Sequence, residues 1–93
     1  MSGKCVRIRI EGRVQGVWYR GWTRQQANAL GLDGWVRNNR DGSVEGVFSG
    51  PIDHVDQMIK QCHSGPPLAE VSGITETPEL ERPEPGFHTR HSD

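Results

Sequence analysis

The chain has 93 residues, the size of one small domain, and an apolar content of 32% leaves it only a modest core. Its formal net charge of −1 excludes a general attraction to nucleic acid or to acidic membrane surfaces. The sequence has no apolar run long enough to span a bilayer and no basic segment followed by an apolar one at its start. We therefore expect a cytoplasmic protein that binds neither nucleic acid nor membranes.

The two cysteines, Cys5 and Cys62, lie far apart in the sequence and do not form a CxxC motif. Two reduced thiols in a reducing compartment are the expected state. A disulfide between the two residues is the alternative, and the spacing alone does not decide between them.

The first predicted elements are a strand and a helix. Cys5–Ile10 alternates between apolar and basic side chains, which is typical of a strand with one buried face. A helix is predicted from Tyr19 to Leu30, and the residues that share its inner face are Tyr19, Thr23, Ala27 and Leu30. Gly31 then stands where a helix often ends with a left-handed residue.

A hairpin and a second helix follow. Strands are predicted over Gly34–Asn39 and Ser43–Gly50, and the Asp-Gly pair at 41–42 between them is a strong hairpin signal. Pro51 suits the first turn of a helix. The apolar residues that recur at helical spacing after it are Ile52, Val55, Met58, Ile59 and Cys62.

The last third of the chain gives weaker signals. Ala69–Glu76 is predicted as a fourth strand. The segment Thr77–Gly86 is acidic and rich in proline, and we expect a loop with little reason to pack. Phe87–His91 is predicted as a short last strand.

The order strand, helix, strand, strand, helix, strand (βαββαβ) is that of the split βαβ, ferredoxin-like arrangement. We therefore expect an α+β fold, a ferredoxin-like α/β sandwich in which two helices cover one face of an antiparallel sheet of four to five strands. Residues 1–93 are expected to form a single domain with flexible ends at residues 1–4 and 91–93, and a monomer is expected. Because this fold hosts many functions, the function has to be inferred from a site.

The turn between the first strand and the first helix reads EGRVQGVWYRGW. Gly12 and Gly16 allow the backbone to curl, so that successive N–H groups form an anion-binding nest leading into a helix N-terminus. Arg20 lies at that helix start, and a guanidinium can bind two oxygens of a phosphoryl group at once. In the alternative interpretation the glycines only permit a tight bend and Arg20 is solvated. Neither the P-loop pattern nor GxGxxG is present.

Asn38, near the end of the second predicted strand, is the second candidate. We expect that strand to lie beside the first one, so that Asn38 reaches the same end of the sheet as the turn. Its carboxamide offers one acceptor and two donors, enough to orient a water molecule. The alternative is a turn-forming role in the hairpin, which Asn39 can fill instead.

These segments resemble the acylphosphatase family over nearly the whole chain. Two long motifs carry the resemblance in the right order and at the right separation: GRVQGVWYR at residues 12–20 and GWVRNNRDGSVEG at residues 34–46. LGLDGWV joins them, and SGPPLAEVSGI follows later. The chain departs from the family at Tyr19, where Phe is usual, and in the polar terminal segment GFHTRHSD.

By position, the resemblance implies that Arg20 binds the phosphate and that Asn38 holds the attacking water. It also implies a phosphate cradle formed by Arg13, Val14, Gln15, Gly16, Val17, Trp18, Tyr19 and Arg20. The family hydrolyses the mixed anhydride of a carboxylic acid and phosphoric acid without a metal. The resemblance therefore implies a small acyl phosphate as the substrate, with no metal and no cofactor.

Two other functions are compatible with the predicted order of elements. RNA-recognition domains share it and read bases with aromatic side chains on the sheet, but the third strand here offers only Phe48. A domain of this kind can also serve only to bind phosphate or carbamoyl phosphate within a larger enzyme. Trp18, at the turn, either lines the mouth of the site or is simply exposed.

Overall fold

The structure, a computed structural model, describes residues 3–91. The elements of this part of the chain are β1 (Gly3–Arg13), α1 (Tyr19–Ala29), β2 (Asp33–Asn38), β3 (Val44–Pro51), α2 (Ile52–Ser64), β4 (Glu70–Pro78) and β5 (Phe87–Thr89). The strands form one sheet in the order β4-β1-β3-β2-β5. Both helices pack on one face of it, so the expected βαββαβ sandwich is confirmed.

The alternation of apolar and basic side chains along β1 determines which face of the sheet the helices cover. Val6, Ile8 and Ile10 are buried in the core, whereas the arginines between them lie on the opposite face, which we call the open face. The helix residues that close the core are Tyr19, Thr23, Ala27, Val55, Met58, Ile59 and Cys62.

Two expectations for the second helix are wrong. Ile52 is 41% exposed, and Pro51 ends β3 and caps α2 because the chain turns one residue later than expected.

The strand order corrects one expectation about the site. β2 does not lie beside β1, because β3 lies between them and pairs antiparallel with both. The register nevertheless brings the two candidate segments to the same end of the sheet. Ile10 pairs with Val44, and Val44 pairs with Asn38, so these three residues lie in one row across β1, β3 and β2.

β1 is longer than its alternating sequence predicts. Its pairing with β4 continues past Ile10, through a bulge between Glu11 and Gly12, to Arg13. Gly12 has a φ of 124°, and a Cβ atom built on it would lie 2.1 Å from the carbonyl oxygen of Glu70. This glycine therefore allows close approach of two strands and belongs to the sheet, whereas the sequence assigned it to the turn.

The Pro-rich segment is a mostly exposed loop, as expected, except that Thr77 and Pro78 still belong to β4. This loop has to cross the sheet. β4 and β5 form opposite edges, four strand spacings apart, or roughly 19 Å. Residues 79–86 span this width at one end of the sheet. The backbone N–H of Glu79 donates to the carbonyl of Cys5 (3.0 Å), and that of Gly86 donates to the carboxylate of Asp33 (2.8 Å).

This crossing also explains why the sheet is mixed, which corrects the antiparallel expectation. After residue 86 the chain has reached the end of the sheet where β2 begins. β5 therefore runs parallel to β2, with Gly34 opposite Phe87 and Val36 opposite Thr89. The other strand pairs are antiparallel. The last residues of β5 consequently arrive at the same end of the sheet as Asn38.

The expected flexible ends fall partly outside the described residues, since residues 1, 2, 92 and 93 lie there. Residues 3 and 4 begin β1, and the Lys4 ammonium lies 2.7 Å from the carboxylate of Asp56 on α2. His91 is exposed and follows β5 without belonging to an element.

The structure forms no disulfide between Cys5 and Cys62, and both are free cysteines. Cys5 alternates with Val6 and therefore lies on the open face, whereas Cys62 is fully buried beneath α2. The sheet separates the two sulfur atoms. Burial raises the pKa of the Cys62 thiol to about 12, so this thiol is inert at neutral pH.

Candidate active site

The connection between β1 and α1 is a short loop, residues 14–18, that the core holds in place. Its two valines, Val14 and Val17, are buried. The two residues that flank Val17 adopt unusual backbone conformations: Gly16 has a φ of 74°, and Trp18 has a φ of 68°. A tryptophan in the left-handed region is strained, and such strain is retained mainly at functional sites.

This loop and the start of α1 carry backbone N–H groups without partners. Within residues 3–91, the N–H groups of Gly16, Val17 and Trp18 donate no hydrogen bond. The first turn of α1 adds the unpaired N–H groups of any helix start, with no side-chain cap and no acidic residue there. An anion is the group that such a loop suits best.

A glutamine ties this loop to the β2–β3 hairpin. The Nε2 atom of Gln15 donates to the carbonyl oxygens of Asn39 and Ser43, both at 2.8 Å. Asn39 is buried and shapes the turn, donating its backbone N–H to the Ser43 carbonyl and its Nδ2 to the Ser43 hydroxyl. Asn39 therefore fills the hairpin role. The neighbouring Asn38 is half-buried, and its side chain makes no hydrogen bond within residues 3–91.

Arg20 and Asn38 line the same cleft, about 330 Å³ in volume. We call it the loop cleft, and its lining residues are Val14, Gln15, Gly16, Trp18, Tyr19, Arg20, Gly21, Asn38 and Thr89. The Arg20 guanidinium lies 3.4 Å from the carbonyl oxygen of Arg90 and makes no ion pair within residues 3–91. The cleft therefore combines a guanidinium without a carboxylate partner with a free carboxamide.

Two of the predicted site residues do not line the loop cleft. Arg13 is the exposed last residue of β1 and pairs with Glu70 of β4. The side chain of Val17 packs into the core, so only its backbone can serve the loop. The other residues predicted from the turn lie around the cleft together with Asn38.

Sequence reasoning missed two lining residues, Gly21 and Thr89. A Cβ atom on Gly21 would lie 2.2 Å from Nε1 of Trp18, so the absent side chain lets the indole lie against α1. A glycine in the first turn of a predicted helix was the available signal. Thr89 reaches the cleft only because β5 is parallel to β2, which local sequence does not indicate.

Tyr19, which departs from the usual Phe, is buried at the start of α1. Its hydroxyl donates to the carbonyl oxygen of Cys62, one of the last residues of α2. Burial, helped by this contact, raises the pKa of the Tyr19 phenol far above its ordinary value. The added hydroxyl therefore links the ends of the two helices and acts as a neutral donor.

The open face of the sheet is covered by paired charges. Glu45 accepts hydrogen bonds from Arg7 (2.5 Å) and Arg37 (2.9 Å), and Arg7 also contacts Glu79 (3.2 Å). Burial alone would raise the pKa of Glu45, but the two guanidinium hydrogen bonds outweigh it, so the pKa is lowered. Trp35 lies among these arginines, only 6% exposed, with the Arg90 guanidinium 4.4 Å from its ring centroid.

The aromatic residues are not arranged for base stacking on this face. Phe48 is fully buried on the helix side of the sheet, where its ring stacks on Phe87 with centroids 5.5 Å apart.

Within residues 3–91, the structure forms no cluster of three side chains that could hold a metal. No helix of that range is long and apolar enough to cross a bilayer.

The fold and the loop cleft define a class: small ferredoxin-like domains with a loop of unpartnered N–H groups, within residues 3–91, between the first strand and the first helix. The family model described as Acylphosphatase matches residues 6–89 of the chain. The chain therefore belongs to the acylphosphatase family.

Individual relatives agree with the family match. The chain is 49% identical to an acylphosphatase of Rhodospirillum rubrum, over 96% of this chain and 98% of that protein. Among solved structures, an acylphosphatase from Coxiella burnetii is 33% identical with a TM-score of 0.90, covering 95% of this chain and 93% of that one. An acylphosphatase from Bacillus subtilis is 31% identical with a TM-score of 0.87, covering 92% and 97%.

Proposed function

We propose that this enzyme hydrolyses the carboxyl–phosphate bond of small acyl phosphates, releasing a carboxylate and inorganic phosphate without a metal or a cofactor. In this mechanism Arg20 and the loop N–H groups bind the phosphoryl group, and Asn38 orients the attacking water. One observation carries the proposal. Arg20 and Asn38 line the same cleft, beside a loop whose N–H groups have no partner within residues 3–91.

The chemistry of the substrate explains why the site needs no strong general acid. A carboxylate is a good leaving group, so the bond between phosphorus and the acyl oxygen breaks with little or no protonation. The water oxygen forms the new bond to phosphorus, and its proton passes to a phosphate oxygen. The protein then has to neutralise the charge of the phosphoryl oxygens and hold the water in line.

Arg20 supplies the first of these two functions. Its guanidinium has no carboxylate partner within residues 3–91, so its donors are available to two phosphoryl oxygens at once. The unpaired N–H groups of Gly16, Val17 and Trp18 supply further donors from a backbone that is already fixed. Removing one preorganised donor of this kind typically costs about 3–4 kcal/mol of transition-state stabilisation.

Asn38 supplies the second function. Its carboxamide is unbonded within residues 3–91, and the hairpin duty that would compete for it is carried out by Asn39. The hydrogen bonds of Gln15 hold the hairpin against the phosphate-binding loop, so they fix the distance between the water site and phosphorus. Because a carboxamide is a poor base, Asn38 positions the water and leaves the proton to the phosphate.

The proposal includes a single monomeric domain in the cytoplasm. Two free thiols support a reducing compartment. Size-exclusion chromatography with light scattering tests the monomer, and a particle twice the mass of the chain would contradict it.

Hydrolysis of benzoyl phosphate in the presence of EDTA tests the function directly. We expect turnover that EDTA does not reduce, with inorganic phosphate as a competitive inhibitor because it binds the same donors. Failure to hydrolyse benzoyl phosphate would refute the activity. Turnover that vanishes with EDTA and returns with a divalent cation would refute only the metal-free mechanism.

A further inference from the structure

The loop cleft continues along the outer side of α1. A second cleft of about 380 Å³, which we call the helix cleft, is lined by Trp18, Gly21, Arg24, Gln25, Asn28 and Thr89. Three of these residues, Trp18, Gly21 and Thr89, also line the loop cleft. The two clefts therefore share a wall and form one groove that leads away from the proposed phosphate site.

The shared wall is an aromatic surface. The Trp18 indole is 58% exposed, although the strained backbone of this residue is fixed between the core and α1. It lies against Gly21, where any side chain would collide with the ring. A group bound to the phosphoryl oxygen would therefore meet a flat apolar surface first and polar side chains beyond it.

The far part of the groove is positively charged. Arg24 follows Arg20 by four residues, so the two side chains lie on the same side of α1 one turn apart. Like charges at this spacing destabilise a helix, and α1 contains no acidic residue to offset them. Neither cleft is lined by a carboxylate from the described part of the chain, and Arg24 makes no ion pair there.

We propose that the helix cleft binds the acyl group of the substrate and that Arg24 binds a second anionic group at the far end of that acyl chain. This inference rests on the proposed function of the loop cleft. One helical turn separates the two guanidinium-bearing residues by about 6 Å along the axis. That separation suits an acyl chain of about four to five carbons, so the preferred substrates are monoacyl phosphates of dicarboxylic acids.

The test compares two substrates of equal chain length, the monoacyl phosphate of succinic acid and butyryl phosphate. For each, kcat/KM is divided by the rate of uncatalysed hydrolysis, which removes differences in intrinsic reactivity. We expect the wild-type enzyme to prefer the succinyl compound by about fivefold, the size typical of one exposed charge pair. The preference should shrink in high salt, because the pair is solvent-exposed.

Single substitutions test whether Arg24 causes the preference for the succinyl compound. In Arg24→Gln the ratio between the two substrates should fall close to one, whereas Arg24→Lys should keep most of it. Lys60→Gln removes a positive charge from an exposed position of α2 outside both clefts, and its ratio should equal that of the wild type.

The outcomes separate this inference from the function on which it rests. If the wild-type enzyme hydrolyses both substrates with a ratio near one, or if Arg24→Gln keeps the wild-type preference, the inference is overturned and the proposed function stands. If neither substrate is hydrolysed, the proposed function itself has failed. An equal loss of the preference in Lys60→Gln would assign it to overall charge and would also overturn the role of Arg24.

Discussion

The arginines of the open face and those of the groove differ in what they contact. Arg7, Arg9 and Arg37 each contact at least one carboxylate. Arg20 and Arg24 contact none within residues 3–91. A paired guanidinium holds strands together and has its charge neutralised, whereas an unpaired one keeps its donors for an anion from outside. A missing carboxylate partner therefore points to ligand binding only where the arginine also lines a cleft, since Arg90 has no carboxylate within residues 3–91 either and packs on Trp35 instead.

The largest expected effect comes from removing the unpaired arginine of the loop cleft. Arg20→Ala and Arg20→Lys should each lower kcat/KM on benzoyl phosphate by about a thousandfold or more, because an ammonium cannot replace the bidentate contact. Urea unfolding should show that the stability is nearly unchanged. Arg82→Ala, in the crossing loop at the opposite end of the sheet, is the matched control and should keep full activity. Comparable activity in Arg20→Ala and Arg82→Ala would show that Arg20 has no particular role in turnover.

The next effect concerns the free carboxamide beside that arginine. Asn38→Ala should lower kcat by about a hundredfold or more, while the inhibition constant of inorganic phosphate changes little. A misplaced water affects the transition state more than it affects phosphate binding in the ground state. Steady-state kinetics with phosphate as inhibitor measures both quantities. If phosphate affinity fell as steeply as kcat, Asn38 would belong to phosphate binding and not to water positioning.

A smaller effect is expected on the open face. Glu45→Gln leaves Arg7 and Arg37 without their shared carboxylate, and we expect a loss of about 1 kcal/mol in the free energy of unfolding with normal turnover. Glu11→Gln is the control, because that carboxylate is more exposed and lies 3.7 Å from Arg9. Loss of turnover without loss of stability in Glu45→Gln would show that the open face contributes to catalysis.

The smallest effect is a pH dependence of stability at the hairpin. Hydrogen bonds from the hydroxyl and N–H of Ser43, together with Arg9, lower the pKa of Asp41 from 3.8 to about 2. Between these two pH values Asp41 binds a proton in the unfolded chain but not in the folded protein. Its contribution to the free energy of unfolding is therefore complete above pH 3.8 and is lost as the pH falls towards 2.

Urea unfolding of the wild type and of Asp41→Asn measures this contribution. The stability difference between them should be present at about pH 5 and should be largely lost at about pH 2.5. Glu84→Gln, at an exposed position of the crossing loop, should show no comparable pH-dependent difference. A constant difference between wild type and Asp41→Asn across this range would show that the carboxylate charge of Asp41 does not stabilise the hairpin.

The sequence predicted what local patterns encode. Alternation at Val6, Ile8 and Ile10 gave the buried face of β1, and the Asp-Gly pair at 41–42 gave the hairpin. The motif around Arg20 gave most of the residues that line the loop cleft.

The features that the sequence did not predict depend on the path of the chain through space. The position of β3 between β1 and β2 was missed, because no local pattern sets the order of strands in a sheet. Thr89 was missed because its place at the cleft follows from the crossing of residues 79–86 and the parallel pairing of β5. Arg13 was included by proximity in the motif, although the bulge at Gly12 carries β1 on through Arg13.

The crossing of residues 79–86 also sets the order in which the parts of the loop cleft can assemble during synthesis. During synthesis, Thr89 and the carbonyl of Arg90 that contacts Arg20 follow every other residue that lines the loop cleft. Until they emerge, the outer edge of β2 has no neighbour and is open to pairing with another chain. Completion of the loop cleft and protection of that edge are therefore a single event, the pairing of β5 with β2.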